Sequence, residues 1–172
     1  YTGRRKNWEK SDWNNIHITD HQKSLIQVNH NIIEAIAEGV VSGSLEEILD
    51  TKINRLAVFR PSLSNQEIMG VMQTIHSYLG NQYDFTFDFN DAETQVCTEV
   101  IYRGYNQVGE IDFKLSKRAG KLNMSAEDVC RYAIGSGQME LVTLIIEDEY
   151  RNGNPRFVGK ENGVEIILGL MN

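Results

Sequence analysis

The sequence predicts an α+β fold in which an antiparallel sheet packs against amphipathic helices. Three observations lead to this prediction: short β-branched runs, capping boxes ahead of apolar periodic segments, and Asn-Gly pairs of the kind found in hairpins. The chain has 172 residues, enough for one hydrophobic core, and shows no repeat or linker. We therefore expect residues 1–172 to form a single domain.

Strands are predicted where β-branched residues lie close together between turn signals. In the first part of the chain these runs are residues 25–28, 32–36 and 55–59, whereas residues 1–22 are polar and predict a loop. In the last part they are residues 141–146, 156–158 and 164–168, with hairpin signals at Asn152-Gly153 and Asn162-Gly163. We expect the last part to form an antiparallel meander.

Helices are predicted where a Ser is followed three residues later by an acidic residue that completes a capping box. The three boxes and the ends expected for their helices are Ser44–Glu47 with an end near Asp50, Ser64–Glu67 with a stop at Gly80, and Ser125–Asp128 with an end at Gly135. A fourth helix is expected to start near Thr94 or Gln95, because Val96, Val100 and Ile101 follow at helical spacing.

Composition excludes several classes of function. Seventeen Lys and Arg against 24 Asp and Glu give a net charge of −7, which argues against a phosphate-backbone footprint and hence against a nucleic-acid partner. No apolar run approaches the roughly 20 residues that cross a bilayer. Two cysteines, Cys97 and Cys130, cannot form a disulfide scaffold or a zinc pair.

Other clusters of chemically capable residues are weaker candidates. His17 and His21 have the spacing of helical metal ligands and His30 lies nearby, but their polar surroundings favour a solvated loop. The aspartates between Tyr83 and Ala92 lack the spacing of a calcium loop. We predict no metal and no cofactor, a structural role for His76 and a packing role for Cys130.

Cys97 is the strongest candidate nucleophile. It falls in the first turn of the predicted fourth helix, where free amide donors and a partial positive charge favour thiolate over thiol. The same amides can stabilise the oxyanion of an attacked carbonyl. From position alone, an inert packing role for this cysteine remains open.

The segment around Cys97 resembles the nucleophile motif of the circularly permuted, NlpC-type papain-like amidases, in particular their YiiX-like branch. The residues that match are Leu79-Gly80, Tyr83-Asp84, Phe87, Cys97, Glu99, Tyr102 and Tyr105. Val96 and Thr98 depart from the aromatic and the Ser that are usual beside the cysteine. The similarity spans about residues 31–105, and it implies a papain-like sheet or barrel with the nucleophile helix packed against it.

The resemblance also assigns roles. It implies that Cys97 is the nucleophile, that Glu34 orients the base histidine and that Tyr83 helps to bind the substrate. The family carries that histidine in a pattern like His-x-Gly-Ile-Tyr-x-Gly, and Tyr1-Thr2-Gly3 is similar to its end, so we expect the histidine before Tyr1. Alternatives stay open: a solvent-facing carboxylate for Glu34 and an aromatic packing role for Tyr83.

We therefore expect a cysteine hydrolase that cleaves an amide bond through a thioester. The resemblance implies a cell-wall peptide or a lipid-like amide as substrate, and no cofactor. A lipid-linked acyltransferase and a non-catalytic module that binds a peptide or acyl chain are the alternatives. No signal-peptide pattern is visible, and both the cell envelope and the cytoplasm remain open, as does the oligomeric state.

Overall fold

In the described residues, three short antiparallel sheets and one short parallel strand pair combine with amphipathic helices, which agrees with the α+β prediction. A computed structural model describes residues 16–171 except Val28, residues 52–53 and residues 148–154. The chain divides into two compact units, one made of residues 1–47 and 63–124 and the other of residues 48–62 and 125–172. This division does not by itself separate two domains, and the single-domain expectation stays a prediction.

The elements are as follows. The helices are α1 (Asp20–Ser24), α2 (Leu45–Asp50), α3 (Asn65–Ser77), α4 (Cys97–Tyr105), α5 (Ala126–Gly135) and α6 (Lys160–Leu170). The strands are β1 (Ile32–Ile36), β2 (Gly39–Gly43), β3 (Arg55–Pro61), β4 (Gln82–Tyr83), β5 (Thr94–Gln95), β6 (Ser116–Arg118), β7 (Lys121–Asn123), β8 (Met139–Glu147) and β9 (Pro155–Val158). The three predicted capping boxes begin α2, α3 and α5.

The β1–β2 hairpin and helix α4 form the core of the first unit. The strands pair antiparallel from Ile32 opposite Gly43 to Ile36 opposite Gly39. Ala35 and Val40 are cross-strand partners, and both pack with Val100 of α4. The hairpin face that carries these residues is therefore the face covered by the helix that begins at Cys97.

Two glycines of the first unit allow neighbouring segments to approach closely. Gly39 has a φ of +115°, and a Cβ at this position would meet the carbonyl oxygen of Asn81 at 2.4 Å. Val40 N–H donates to that same oxygen at 2.9 Å, which brings the segment ahead of β4 against β2. Gly104 allows a similarly close approach between α4 and α3, because a Cβ at this position would lie 2.7 Å from the side chain of Ile75 of α3. Both positions require glycine for steric reasons.

The second unit is built on a three-stranded antiparallel sheet in the order β3–β8–β9. The pairing of β3 with β8 shifts register between Val58 and Phe59. Leu141, Leu144 and Val158 of the sheet form a buried cluster with Ile167 of α6. Cys130 of α5 packs against this cluster, as its predicted packing role requires.

The expected strand at residues 164–168 is wrong, because these residues lie in helix α6. A short apolar run fits a buried strand and a buried helix face equally well. Here Ile167 and its neighbour one turn earlier, Val164, face the cluster on β8 and β9, which is helical spacing. The Asn162-Gly163 pair consequently lies inside a helix, and Asn152-Gly153 lies outside the described residues.

The expected strand at residues 25–28 is also wrong. Thr19 caps α1, its side chain accepting a hydrogen bond from Gln22 N–H, and Leu25 is the C-cap of the same helix. Ile26 and Gln27 have no regular structure, and Val28 is not described. The signal for this helix, the Thr-x-x-Gln capping box, was present in the sequence. The helix takes up residues 20–22 of the predicted N-terminal loop. Residues 1–15 of that loop lie outside the described residues.

Candidate active site

Cys97 is the first residue of α4 and its side chain is exposed. The helix begins later than predicted, because Val96 is the N-cap in an extended conformation and Thr94-Gln95 form β5. Val96 is buried, and its carbonyl accepts the N–H of Val100 at 3.1 Å. An apolar, buried N-cap thus anchors the helix and leaves the next residue, Cys97, facing outward beside the first-turn amides.

A short parallel ladder holds the backbone ahead of the cysteine. Gln82 pairs with Thr94 and Tyr83 pairs with Gln95, two residues before Cys97. The Gln95 side chain is fully buried, accepts a hydrogen bond from Asn81 Nδ2 at 2.9 Å and donates to the carbonyl of Ala92 at 2.8 Å. Such a satisfied buried amide fixes the register of the two segments.

This ladder brings Tyr83 to Cys97. Burial raises the pKa of the Tyr83 hydroxyl, and the nearby negative charges of the Cys97 thiolate and of Asp84 raise it further. The ladder itself places the backbone of Tyr83 opposite Gln95, two residues before Cys97. Tyr83 and Cys97, two of the three residues that the sequence assigned to the site, therefore lie on adjoining segments.

Glu99 and Arg103 form an ion pair on α4, the helix that begins at Cys97. Glu99 is fully buried, and its Oε1 accepts from Arg103 Nε at 2.9 Å and from Arg103 Nη2 at 2.5 Å. The other oxygen of Glu99 accepts the N–H of Val96 at 3.4 Å. Burial raises the pKa of the Glu99 carboxyl, and the hydrogen bonds and charge of Arg103 limit that rise.

Arg103 also reaches the loop between β4 and β5. Its Nη2 donates to the carbonyls of Phe89 at 3.1 Å and of Asp91 at 2.8 Å. One guanidinium therefore joins α4 to the loop that precedes it. Arg103 was not among the residues predicted from the sequence, although its spacing of four residues from Glu99 is the signal of a helical ion pair.

Asp84 organises the start of that loop. This buried carboxylate accepts hydrogen bonds from the N–H and hydroxyl of Thr86, both at 2.7 Å, and from Asp88 N–H at 2.6 Å. Burial opposes ionisation of Asp84, but these hydrogen bonds outweigh it and lower its pKa. The Asp of the Tyr83-Asp84 motif thus shapes the turn instead of taking part in a cation site.

Glu34, the third predicted site residue, lies on β1 of the β1–β2 hairpin. It pairs with Val41, whereas its neighbours Ile33 and Ala35 pack with Val100 of α4. Because side chains alternate along a strand, Glu34 is on the face opposite the one that α4 covers. Its carboxylate oxygen lies over Gly43, 2.9 Å from where a Cβ would be. The orienting role of Glu34 stays a prediction.

The four histidines of the chain all fall in the described residues, and none of them is hydrogen-bonded to Cys97 Sγ. His30 Nδ1 lies 2.5 Å from Ser42 Oγ, whose hydroxyl donates to the carbonyl of Leu25. His76 is buried in α3 with Nδ1 2.7 Å from the Met72 carbonyl, and burial lowers its pKa. These positions agree with a structural histidine at 76.

His21 lies in α1, and the backbone of His17 exchanges hydrogen bonds with the Gln73 side chain. Among the described residues no group of three or more His, Cys, Asp or Glu side chains could hold a metal ion. No helix in the described part of the chain has the length and hydropathy to cross a membrane.

Comparison with known proteins adds a family to this geometry. Residues 7–153 match the model of a family of permuted papain-like amidases, the C92 family, also described as YaeF/YiiX. No curated protein and no solved structure matches the chain. The match contains Cys97, Tyr83, Glu34 and the ion pair, and it agrees with the helix-on-hairpin packing. The chain therefore belongs to the permuted papain-like amidases of the C92, YaeF/YiiX family, a family of cysteine hydrolases.

Proposed function

We propose that this protein hydrolyses an amide bond through a thioester intermediate on Cys97. The observation that carries the proposal is the position of an exposed cysteine at the first residue of α4, two residues after Gln95, which pairs with Tyr83. A helix N-terminus favours the thiolate and offers amide donors to a developing oxyanion.

The chemistry proceeds in two steps. The Cys97 thiolate adds to the amide carbonyl carbon, the C–S bond forms, and the C–N bond breaks as the protonated base gives its proton to the leaving amine. Water, deprotonated by the same base, then attacks the thioester carbonyl, releases the free acid and restores the thiol. In this proposal the base is a histidine upstream of Tyr1, as expected from the family pattern.

Tyr83 acts as a hydrogen-bond donor to the carbonyl oxygen in this proposal. Because burial and the nearby negative charges raise its pKa, the phenol keeps its proton at neutral pH. It can therefore donate to an oxyanion together with the first-turn amides of α4. This role supports positioning of the substrate and needs no proton transfer from Tyr83.

Cell-wall peptides and lipid-like amides are the substrate classes that the family resemblance favours. A lipid-linked acyltransferase would use the same thioester and pass the acyl group to another acceptor. A binding module would use the same pocket without turnover. The product distinguishes the first two, because a hydrolase yields a free acid and a transferase yields a new ester or amide.

The first test is the pH dependence of alkylation by iodoacetamide, followed by mass spectrometry of each cysteine peptide. Cys130 is the internal control, because burial and the charge of Glu127 raise its pKa. We expect Cys97 to react rapidly at about pH 6, where an ordinary thiol is almost fully protonated, and Cys130 to react only under alkaline conditions. Equal, slow reaction of both cysteines would contradict the nucleophile and favour a binding module.

The same assay locates the base. A chain that begins at Tyr1 and a chain extended upstream to include the expected histidine should be compared at each pH. We expect the longer chain to react faster at low pH and to lose that advantage when the upstream histidine is replaced by Ala. Identical profiles for the two chains would remove the upstream histidine from the proposal.

Glu34 is tested separately. If it orients the histidine, Glu34→Gln should lower kcat on an amide substrate of the longer chain, while the midpoint of thermal unfolding stays unchanged. Glu38→Gln, an exposed position in the turn of the same hairpin, is the matched control. An unaltered kcat in Glu34→Gln would show that this carboxylate does not orient the histidine. It would leave the proposed role of Cys97 intact.

A further inference from the structure

Two phenylalanines in the loop that precedes the candidate nucleophile along the chain are exposed. The side chain of Phe85 is 70% exposed and that of Phe87 is 50% exposed, in the loop that connects β4 to β5. Tyr83 touches both rings edge-on, with centroid distances of 5.0 Å to Phe85 and 6.3 Å to Phe87. Exposed apolar clusters of this kind are characteristic of binding surfaces.

The loop that carries these rings is held in place. Asp84 accepts hydrogen bonds from Thr86 and Asp88 at its start, and Lys121 Nζ donates to the carbonyl of Thr86 at 2.9 Å. At its other side Phe89 turns inward and is buried, with its ring 5.7 Å from that of Tyr102. The exposure of Phe85 and Phe87 is therefore imposed by the turn and is not the result of a loose loop.

Phe87 adds a conformational cost. Its φ of +54° lies in the left-handed region, which a residue with a bulky side chain rarely adopts. Strained conformations of order 1–3 kcal/mol persist where surrounding contacts impose them, and they are frequent at ligand sites. In this turn an Asn or Gly would be less strained than Phe87, so the backbone conformation does not by itself favour an aromatic residue here.

We propose that Phe85 and Phe87, with Tyr83 at their inner end, form an aromatic ledge that binds an apolar group of the substrate next to the scissile amide. This inference rests on the proposed function, because the ledge borders the site only if Cys97 is the nucleophile. Tyr83 connects the two parts: it pairs with Gln95, two residues before Cys97, and its ring contacts both phenylalanines. A carbonyl held at Cys97 therefore presents its adjacent substituent to the ledge.

The chemistry of the ledge excludes a purely polar substituent as its preferred ligand. Aromatic faces and edges bind alkyl and aryl groups through dispersion and removal of apolar surface from water. An acyl chain and an aromatic or aliphatic peptide side chain share this chemistry. The length and shape of the apolar group separate the two sources.

The test uses a series of iodoacetamides that differ only in the group on nitrogen: none, hexyl, octyl and benzyl. Each reagent alkylates Cys97 by displacement of iodide by the thiolate, so the assay needs no turnover and no known substrate. We expect hexyl-iodoacetamide to alkylate Cys97 about tenfold faster than iodoacetamide, with no such preference at Cys130. Equal rate constants for all reagents at Cys97 would overturn the proposal.

The variants are Phe85→Ser and Phe87→Asn, the second chosen because Asn tolerates a positive φ. We expect each to remove most of the preference for the apolar reagents, measured as the ratio of the rate constant with hexyl-iodoacetamide to that with iodoacetamide in the same variant. Phe157→Ser is the matched control, because Phe157 is 69% exposed on β9 in the other unit. A preference that survives in the double variant Phe85→Ser with Phe87→Asn would contradict the ledge.

The outcomes separate the ledge from the proposed function. A slow Cys97 that still prefers the hexyl reagent would contradict the nucleophile but support an apolar site, whereas a fast Cys97 without preference would contradict only the ledge. A gain from hexyl to octyl would indicate an acyl chain, and a preference for benzyl an aromatic peptide side chain. A preference that disappears as protein concentration rises would assign these rings to self-association and overturn the proposal.

Discussion

Helices α4 and α5 are built from the same local pattern and are used differently. Each carries one cysteine, an acidic residue at its third position, and a Glu–Arg pair four residues apart. In α4 the cysteine is the first helical residue and is exposed, whereas in α5 Cys130 lies in the middle of the helix and packs against a hydrophobic cluster. A free cysteine is therefore informative only together with its position in the helix.

The N-termini of the two helices differ in their caps. In α5 the hydroxyl of Ser125 accepts the N–H of Asp128 at 3.1 Å, and the Asp128 carboxylate accepts the N–H of Ser125 at 2.8 Å. In α4 the N-cap is Val96, which has no side-chain acceptor, so only the Glu99 half of the box is present. The helix that we propose for catalysis thus leaves its first-turn amides without a hydroxyl cap, which suits oxyanion binding.

The ion pairs differ in burial. The side chains of Glu99 and Arg103 are 0% and 19% exposed, whereas those of Glu127 and Arg131 are 54% and 47% exposed. An exposed helical pair contributes a few tenths of a kcal/mol. Removal of one partner of a buried pair is strongly destabilising, because it leaves an unpaired charge inside the protein.

The largest difference between α4 and α5 is expected in how replacement of their cysteines changes activity. Cys97→Ser should lower kcat by at least about a thousandfold on any amide that the protein cleaves, because a hydroxyl at this position is a far weaker nucleophile than a thiolate. Cys130→Ser should leave kcat within about twofold. Thermal unfolding of both variants checks that the loss is chemical. Equal activity of the two variants would show that the positions of the cysteines do not distinguish the helices.

The next difference is expected in stability. Arg103→Met should lower the free energy of unfolding by about 3 kcal/mol, because it leaves the buried Glu99 carboxylate unpaired and frees two loop carbonyls. Arg131→Met, the same change on the surface of α5, should cost about 0.5 kcal/mol or less. Chemical denaturation of the two variants measures both values. Similar losses would contradict the contrast in burial.

A smaller effect is expected at the cap of α5. Ser125→Ala should lower the free energy of unfolding by about 1 kcal/mol, because the N–H of Asp128 loses its acceptor. Ser125→Thr keeps the hydroxyl and should restore most of the loss. If Ser125→Ala is neutral, the cap does not distinguish α5 from α4.

The smallest effect concerns pH. Because hydrogen bonds lower the pKa of Asp84 in the folded state, its carboxylate stabilises the fold above the ordinary Asp value of 3.8, and this contribution is lost as the pH falls through the lowered pKa. Asp84→Asn should therefore flatten the dependence of unfolding temperature on pH below about pH 4. Asp20→Asn, the same change at an exposed surface pair with Lys23, is the control. An equal change in both variants would contradict a special role for the turn.

Much of this arrangement could be predicted from local sequence. The three capping boxes predicted α2, α3 and α5, because caps depend on residues only three positions apart. The motif from Leu79 to Tyr105 indicated the family that the comparison shows. The start of α4 was placed too early, since Thr94 and Gln95 pair with β4, a contact between distant residues that periodicity does not reveal.

The tertiary structure decided the rest. Residues 164–168 have the composition of a strand but form a helix, because their apolar side chains are buried against β8 and β9 at helical spacing. The Glu99–Arg103 and Glu127–Arg131 pairs look alike in sequence, and only packing buries the first. The pairing of Tyr83 with Gln95, two residues before Cys97, likewise depends on the β4–β5 ladder. Sequence alone determined which residues could do chemistry, whereas burial and long-range pairing, which set the local dielectric and the distances between side chains, decided which of them meet.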